Sequence, residues 1–151
     1  MSKLTRFLLL SSTERWLLTS TALLTISIKL SLRFLPFLTV HRLFSSHTAA
    51  NVTPHPSPHI VATSTVDQWV WAINAVGRHL PGMTCLVQAY ALHFVLARCG
   101  IRTRLQIGIL RSRHGQIEAH AWVEHQGAIL IGNLPNLVEY TRLPTLRQAA
   151  P

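Results

Sequence analysis

The stretch TCLVQAYALHFVLARCG, residues 84–100, decides how the rest of the chain is arranged. Apolar residues recur in it at helical spacing: Leu86, Tyr90, Phe94 and Ala97, with Leu92 and Val95 beside them. Thr84 is a good N-cap, and Gly100 suits a left-handed stop at the other end. The spacing predicts a helix over 84–98 with Cys85 in its first turn. Upstream, RHLPG (78–82) cannot stay helical through Pro81-Gly82. Downstream, the apolar period changes from 3.6 to 2. RLQIGIL (104–110) alternates Leu105, Ile107 and Ile109 with polar or small residues, EAHAWVE (118–124) follows as a second strand, HQG as a tight hairpin, and AILIG (128–132) as a third strand. The tail NLPNLVEYTRLPTL, with Pro135 and Pro144, reads as irregular.

Before the Cys85 helix, two more helices are expected. Residues 12–34 can be capped by Ser12 or Thr13, with Glu14 at the positive end of the dipole and Pro36 as the stop. Residues 64–79 carry Trp69, Ile73 and Val76 on one side. Between these helices, SSHTAANVTPHPSPH (45–59) places three prolines in five positions and reads as an extended linker. The organisation is thus an apolar helical segment over 1–44, a Pro/His-rich linker over 45–59 and a core over 60–151, within one compact domain. Helices first and an antiparallel meander after give an α+β fold.

Composition narrows the function. Of 151 residues, 48% are apolar and 13% charged, so a disordered chain is excluded, and a domain of this size closes a core without metal or disulfide. The net charge is +9, carried mostly by arginine, which favours an acidic partner. No nucleic-acid motif and no aromatics interleaved with a basic patch accompany that charge, so nucleic acid is not expected. Cys85 and Cys99 fall near opposite ends of one helix, about 20 Å apart. That is beyond the roughly 7 Å a disulfide spans, and free thiols suit a reducing cytoplasm. No zinc-like spacing is present, and His47, His55 and His59 belong to the Pro-rich linker, so neither metal nor cofactor is expected. WLLTSTALLTISI (16–28) is an uncharged run of 13, shorter than the roughly 20 residues of a spanning helix. It fits a buried or interfacial helix; the expected location is cytoplasmic, with membrane contact allowed but not expected.

The chemistry sits in Cys85 and His120. Backbone N–H groups in the first turn and the dipole's positive end favour a thiolate, and the same donors can receive an oxyanion. Gln88, one turn on, is placed to donate a second hydrogen bond. On the EAHAWVE strand, Glu118, His120, Trp122 and Glu124 share one face, while Ala119, Ala121 and Val123 face the other and can lie flat on the helix. An imidazole about 3 Å from the sulfur would take its proton and return it to a leaving amine. Taken singly, a cysteine at a helix start is more often a core residue, and a histidine on a strand more often a boundary residue. The order cap, Cys helix, strand, His, strand shifts that balance.

TCLVQAYALHFVLARCGIRTRLQIGI followed by AHAWVEHQGAILIG resembles the transglutaminase-like core of the lasso peptide B protein, in its form without a fused leader-recognition domain. The likeness rests on C-L-x-x-A-x-A-L at Cys85, Leu86, Ala89, Ala91 and Leu92. It continues in R-x-G-I ending at Ile101, I-G at Ile107-Gly108, and A-H-A-W-V-E-x-x-G from Ala119 to Gly127. The resemblance implies a papain-like core of a Cys-bearing helix packed on a small antiparallel sheet. It also implies a cysteine protease that removes the leader from a ribosomally made precursor. The implied partners are that precursor peptide, a separate leader-recognition protein and an ATP-dependent lasso cyclase. Cys85 and His120 then carry the reaction, with Thr84, Gln88, Trp122 and Glu124 supporting the site.

One departure stands out. The family's triad usually ends in an aspartate about a dozen residues past the histidine, where this chain has Gly132 followed by Asn133. The chain's single aspartate, Asp67, is far upstream. Asn133 is therefore the expected orienting residue, since a neutral amide can hold an imidazole through one hydrogen bond. Glu124 and Glu118 compete for the role, but on a flat strand their side chains run parallel to that of His120. Two other classes remain: another thiol acyl-transfer enzyme (transglutaminase or deamidase) on the same core, and a non-enzymatic interaction module.

Overall fold

A helix that is apolar on nearly every side has to be surrounded, and the Cys85–Arg98 helix is. The computed structural model describes residues 10–36, 39–40, 59–111 and 115–144. Its elements are α1 (Ser12–Phe34), α2 (His59–His79), α3 (Cys85–Arg98), β1 (Arg104–Arg111), β2 (Ile117–His125), β3 (Ala128–Ile131), a 3-10 turn (Leu137–Glu139) and β4 (Thr141–Arg142). Val87, Ala89, Tyr90, Ala91, Leu92, Val95 and Leu96 of α3 are buried, and the helix touches α1, α2 and the sheet. Thr84 caps it, its hydroxyl accepting from the Val87 amide at 3.3 Å. Gly100 ends it with φ of +74°. The expected α+β class is what the chain adopts.

The boundaries differ at a few points. The cap of α1 is Ser11 rather than Ser12 or Thr13: Ser11 and Glu14 form a reciprocal capping box. Helix α2 starts at His59, ahead of the expected start at Ser64, because the pattern of Trp69, Ile73 and Val76 marks only its later part. His59 therefore belongs to a helix and not to the linker. The rest of the expected linker, including His47 and His55, lies outside the described residues, as do 112–114 in the first strand turn. The tail expected to be irregular contributes the 3-10 turn and β4, whose two residues are too few to show any period.

All four strands pair antiparallel in the order β3-β2-β1-β4. The β2–β3 connection turns at Gln126 (φ 49°) and Gly127 (φ 84°), the paired positive φ values of a two-residue hairpin. Alternation splits the sheet into two faces. Ala121, Val123 and Ile131, with Leu105 and Ile107, join the core formed with the helices. Trp122 and Tyr140, with Leu110, Ile129, Leu134 and Leu137, form a second cluster.

That second cluster requires a glycine. Gly108 pairs with His120 across β1–β2, and a Cβ there would sit 3.0 Å from the Trp122 ring and 3.0 Å from the Tyr140 Cβ. The ring of Trp122, wholly buried, thus lies over the bare backbone of β1.

Helix α1 packs on α2 and α3 through Leu17, Thr21, Thr25 and Ile28. Thr25 donates to the Thr21 carbonyl at 2.8 Å, but the buried Thr21 hydroxyl has no partner among the described residues. Taken whole, α1 is long and apolar enough to cross a membrane by length and composition, which its 13-residue uncharged run does not reveal.

Two stability changes of opposite sign follow. Thr21→Val removes an unpaired buried hydroxyl while keeping its shape, and urea unfolding should show a gain of about 1 kcal/mol. Gly108→Ala overpacks the Trp122–Tyr140 contact and should cost about 1–3 kcal/mol in the same assay.

Candidate active site

Cys85 opens α3 directly after its cap, partly buried, and remains a free thiol, as does exposed Cys99. The Val87 amide is taken by the Thr84 hydroxyl and the Gln88 amide by the Thr84 carbonyl at 3.2 Å. Of the first-turn donors, those of Cys85 and Leu86 have no partner within the helix. These two are the donors that the start of the helix can offer next to residue 85.

Alternation along β2 sends His120 to the face that carries Trp122 and Tyr140, while Ala121 on the other face packs with α3. The His120 ring is stacked with that of Trp122, centroids 6.2 Å apart, and tilted against that of Tyr140 at 5.7 Å. Tyr140 lies beside the His120 ring and within electrostatic reach of Cys85. The acidity of the Tyr140 hydroxyl is pushed down, its pKa raised, first by burial and then by the Glu118 carboxylate, with smaller contributions from Cys85 and Glu139. Among the described residues no hydrogen bond joins the thiol to the imidazole.

The imidazole has a fixed tautomer. Its Nε2 lies 2.8 Å from the main-chain carbonyl oxygen of Gly132. A carbonyl only accepts, so Nε2 carries the proton and Nδ1 of the neutral ring keeps its lone pair. This corrects the expectation for Asn133: its side chain is exposed, and the bond assigned to its amide is made by the carbonyl of the residue before it. Gly132 can be there only as glycine. Its φ is +81°, and a Cβ would approach the Ala121 carbonyl oxygen to 2.6 Å and the Trp122 Cβ to 2.8 Å. An aspartate cannot occupy this backbone position, so the main chain supplies the acceptor.

The other candidates are placed as follows. Trp122 is wholly buried and donates its indole N–H to Glu124 at 2.8 Å. Glu124 also meets Arg142 of β4 at 3.1 Å, so its carboxylate ties β2 to the sheet edge rather than to His120. Glu118 accepts from the Tyr140 hydroxyl at 3.5 Å, a long bond. The amide of Gln88 rests against Gly77 of α2, where an added Cβ would be 3.1 Å from its Cδ and Oε1. Asp67 is exposed on α2. The residues that sequence reasoning missed are Tyr140, Gly108 and the Gly132 carbonyl. The glycine inside AILIG was a visible signal for a backbone role, but a tyrosine in an irregular tail carried none. Among the described residues no group of three or more His, Cys, Asp or Glu could hold a metal ion.

A family model described as transglutaminase-like superfamily matches residues 23–145, from the middle of α1 past β4. No curated protein and no solved structure matches the chain.

The tautomer is open to measurement. In ¹⁵N-labelled protein, the neutral form of the His120 ring should show a protonated Nε2 and an unprotonated Nδ1. Gly132→Ala should lose that signature and destabilise the fold by about 1–3 kcal/mol through its strained φ.

Proposed function

The chain belongs to the transglutaminase-like superfamily, and on that premise we propose that it is a cysteine peptidase that removes the leader from a ribosomally made lasso precursor. The observation that carries the reading is the bond between His120 Nε2 and the Gly132 carbonyl. It leaves Nδ1 as the base in a chain whose helix-capping segment offers a thiol and two amide donors.

In this reading Nδ1 of His120 takes the proton of Cys85, and the thiolate attacks the carbonyl carbon at the leader junction. The amide N–H groups of Cys85 and Leu86 receive the oxyanion. As the C–N bond breaks, the imidazolium returns its proton to the departing amine, which becomes the new N-terminus of the core peptide. A C–S bond now holds the leader as a thioester. Water, deprotonated by the same Nδ1, then releases the leader as a carboxylate and restores the thiol. Thr84 holds the helix start, and Trp122 and Tyr140 wall the imidazole on two sides, limiting its rotation.

The lasso assignment rests on the motif likeness at Cys85–Leu92 and Ala119–Gly127. It brings with it a separate leader-recognition protein and a cyclase that consumes the new amine. The basic surface, +9 overall, suits docking of an acidic partner or leader. A transglutaminase or deamidase would share the first half of the reaction and differ in the acceptor, giving an isopeptide or a side-chain carboxylate instead of a shortened peptide.

Incubating the chain with precursor and leader-recognition partner, and following products by mass spectrometry, tests this. Cys85→Ala and His120→Ala should each lower leader removal by more than about a hundredfold while leaving the fold intact. Cys99→Ser should be near-silent, and Asn133→Ala should cost less than about tenfold, since the orienting acceptor is main-chain. Processing by the Cys85→Ala protein would sink the assignment. Iodoacetamide labelling of Cys85 that ignores both pH and His120→Ala would favour the interaction module.

A further inference from the structure

Helix α1 is apolar on two faces, more than a helix that only covers a core requires. Its inward face buries two threonines, Thr21 and Thr25, beside Leu17 and Ile28. Its outward face presents Trp16 (65% exposed), Leu23 (63%), Leu30 (51%) and Phe34 (77%), with Ile26 beside them. Steps of seven, seven and four residues keep these on one narrow stripe, about 27 Å long from Trp16 to Phe34.

The hydroxyls on that side are exposed but bonded to the helix's own backbone. Thr19 donates to the Arg15 carbonyl and Ser27 to the Leu23 carbonyl, each at 2.8 Å. Such hydroxyls are satisfied by the helix itself and need no aqueous partner. The stripe is bordered by cations. Arg15 and Arg33, about five turns apart and hence on the same edge, have no carboxylate partner among the described residues. Lys29, on that same side, is held by the Pro81 carbonyl at 2.7 Å. The helix's one acid, Glu14, is engaged by its cap.

We propose that this outward stripe of α1 seats the protein on an anionic lipid surface, with α1 lying in the plane of the interface. Charge selects that occupant. Aromatic and aliphatic side chains with an arginine at each end fit the boundary of acyl chains and negatively charged headgroups. A second copy of the chain would bring the same arginines and the same +9 against them. The helix stays docked rather than spanning, because its other face is packed on α2 and α3 and Lys29 pins it to the loop before α3. The inference stands apart from the catalytic reading.

Vesicle flotation of the full chain tests it, using phosphatidylglycerol–phosphatidylcholine vesicles against phosphatidylcholine alone. The chain should float with the anionic vesicles. Leu23→Ser with Leu30→Ser should weaken partitioning on the order of a hundredfold, and Arg15→Gln with Arg33→Gln by roughly tenfold. Circular dichroism checks that both variants keep their helices, and Cys85→Ala should float like the wild type. Four results would each overturn the proposal: no flotation, flotation unaffected by the leucine substitutions, bound chain that alkaline carbonate cannot strip, and a lipid-free dimer that the leucine variant cannot form.

Discussion

The arrangement around β2 depends on one main-chain acceptor. Gly132 turns its carbonyl onto His120 Nε2 because its φ of +81° is open to glycine and because no side chain intervenes between it and β2. A side-chain carboxylate in this role would raise the basicity of the ring and stabilise its cation. A carbonyl fixes orientation and tautomer but adds only a partial charge. The acceptor on His120 therefore orients the ring without adding a full charge beside it.

Those surroundings are aromatic and close-packed. Trp122 lies over the backbone of Gly108, and Tyr140 abuts both that glycine and the His120 ring. The carboxylates flanking His120 along β2 are turned to scaffolding: Glu124 joins the Trp122 indole to Arg142, and Glu118 meets the Tyr140 hydroxyl. The short β4 strand, with Leu143 donating to the Ile107 carbonyl at 2.8 Å, holds Tyr140 against the sheet. A two-residue strand thus sets the wall beside the candidate base.

Helix α1 joins the core through Thr21 and Thr25 as well as Leu17 and Ile28, and leaves Trp16, Leu23, Leu30 and Phe34 outside. Among the described residues the Thr21 hydroxyl in that interface has no partner, a local cost to its stability.

The sequence by itself determined the elements whose signals are local. The Thr84 cap, the Cys85–Arg98 helix and the Gly100 stop are written in adjacent residues, as are the alternation of β1 and β2 and the Gln126-Gly127 turn. Each expresses a backbone preference or a period that neighbours in sequence suffice to set. The split of Ala121 and Val123 from His120 and Trp122 was legible for the same reason. What only the tertiary structure decided are the relations across distance. Which group accepts from His120 depended on the path of the chain after β3, where a carbonyl can stand in for a side chain and leaves no trace in residue identity. Tyr140 reached the site through β4, too short to carry a period. The inside and outside of α1 were equally hidden, because threonine and leucine both fit a helix and only packing against α2 and α3 chose which face was buried.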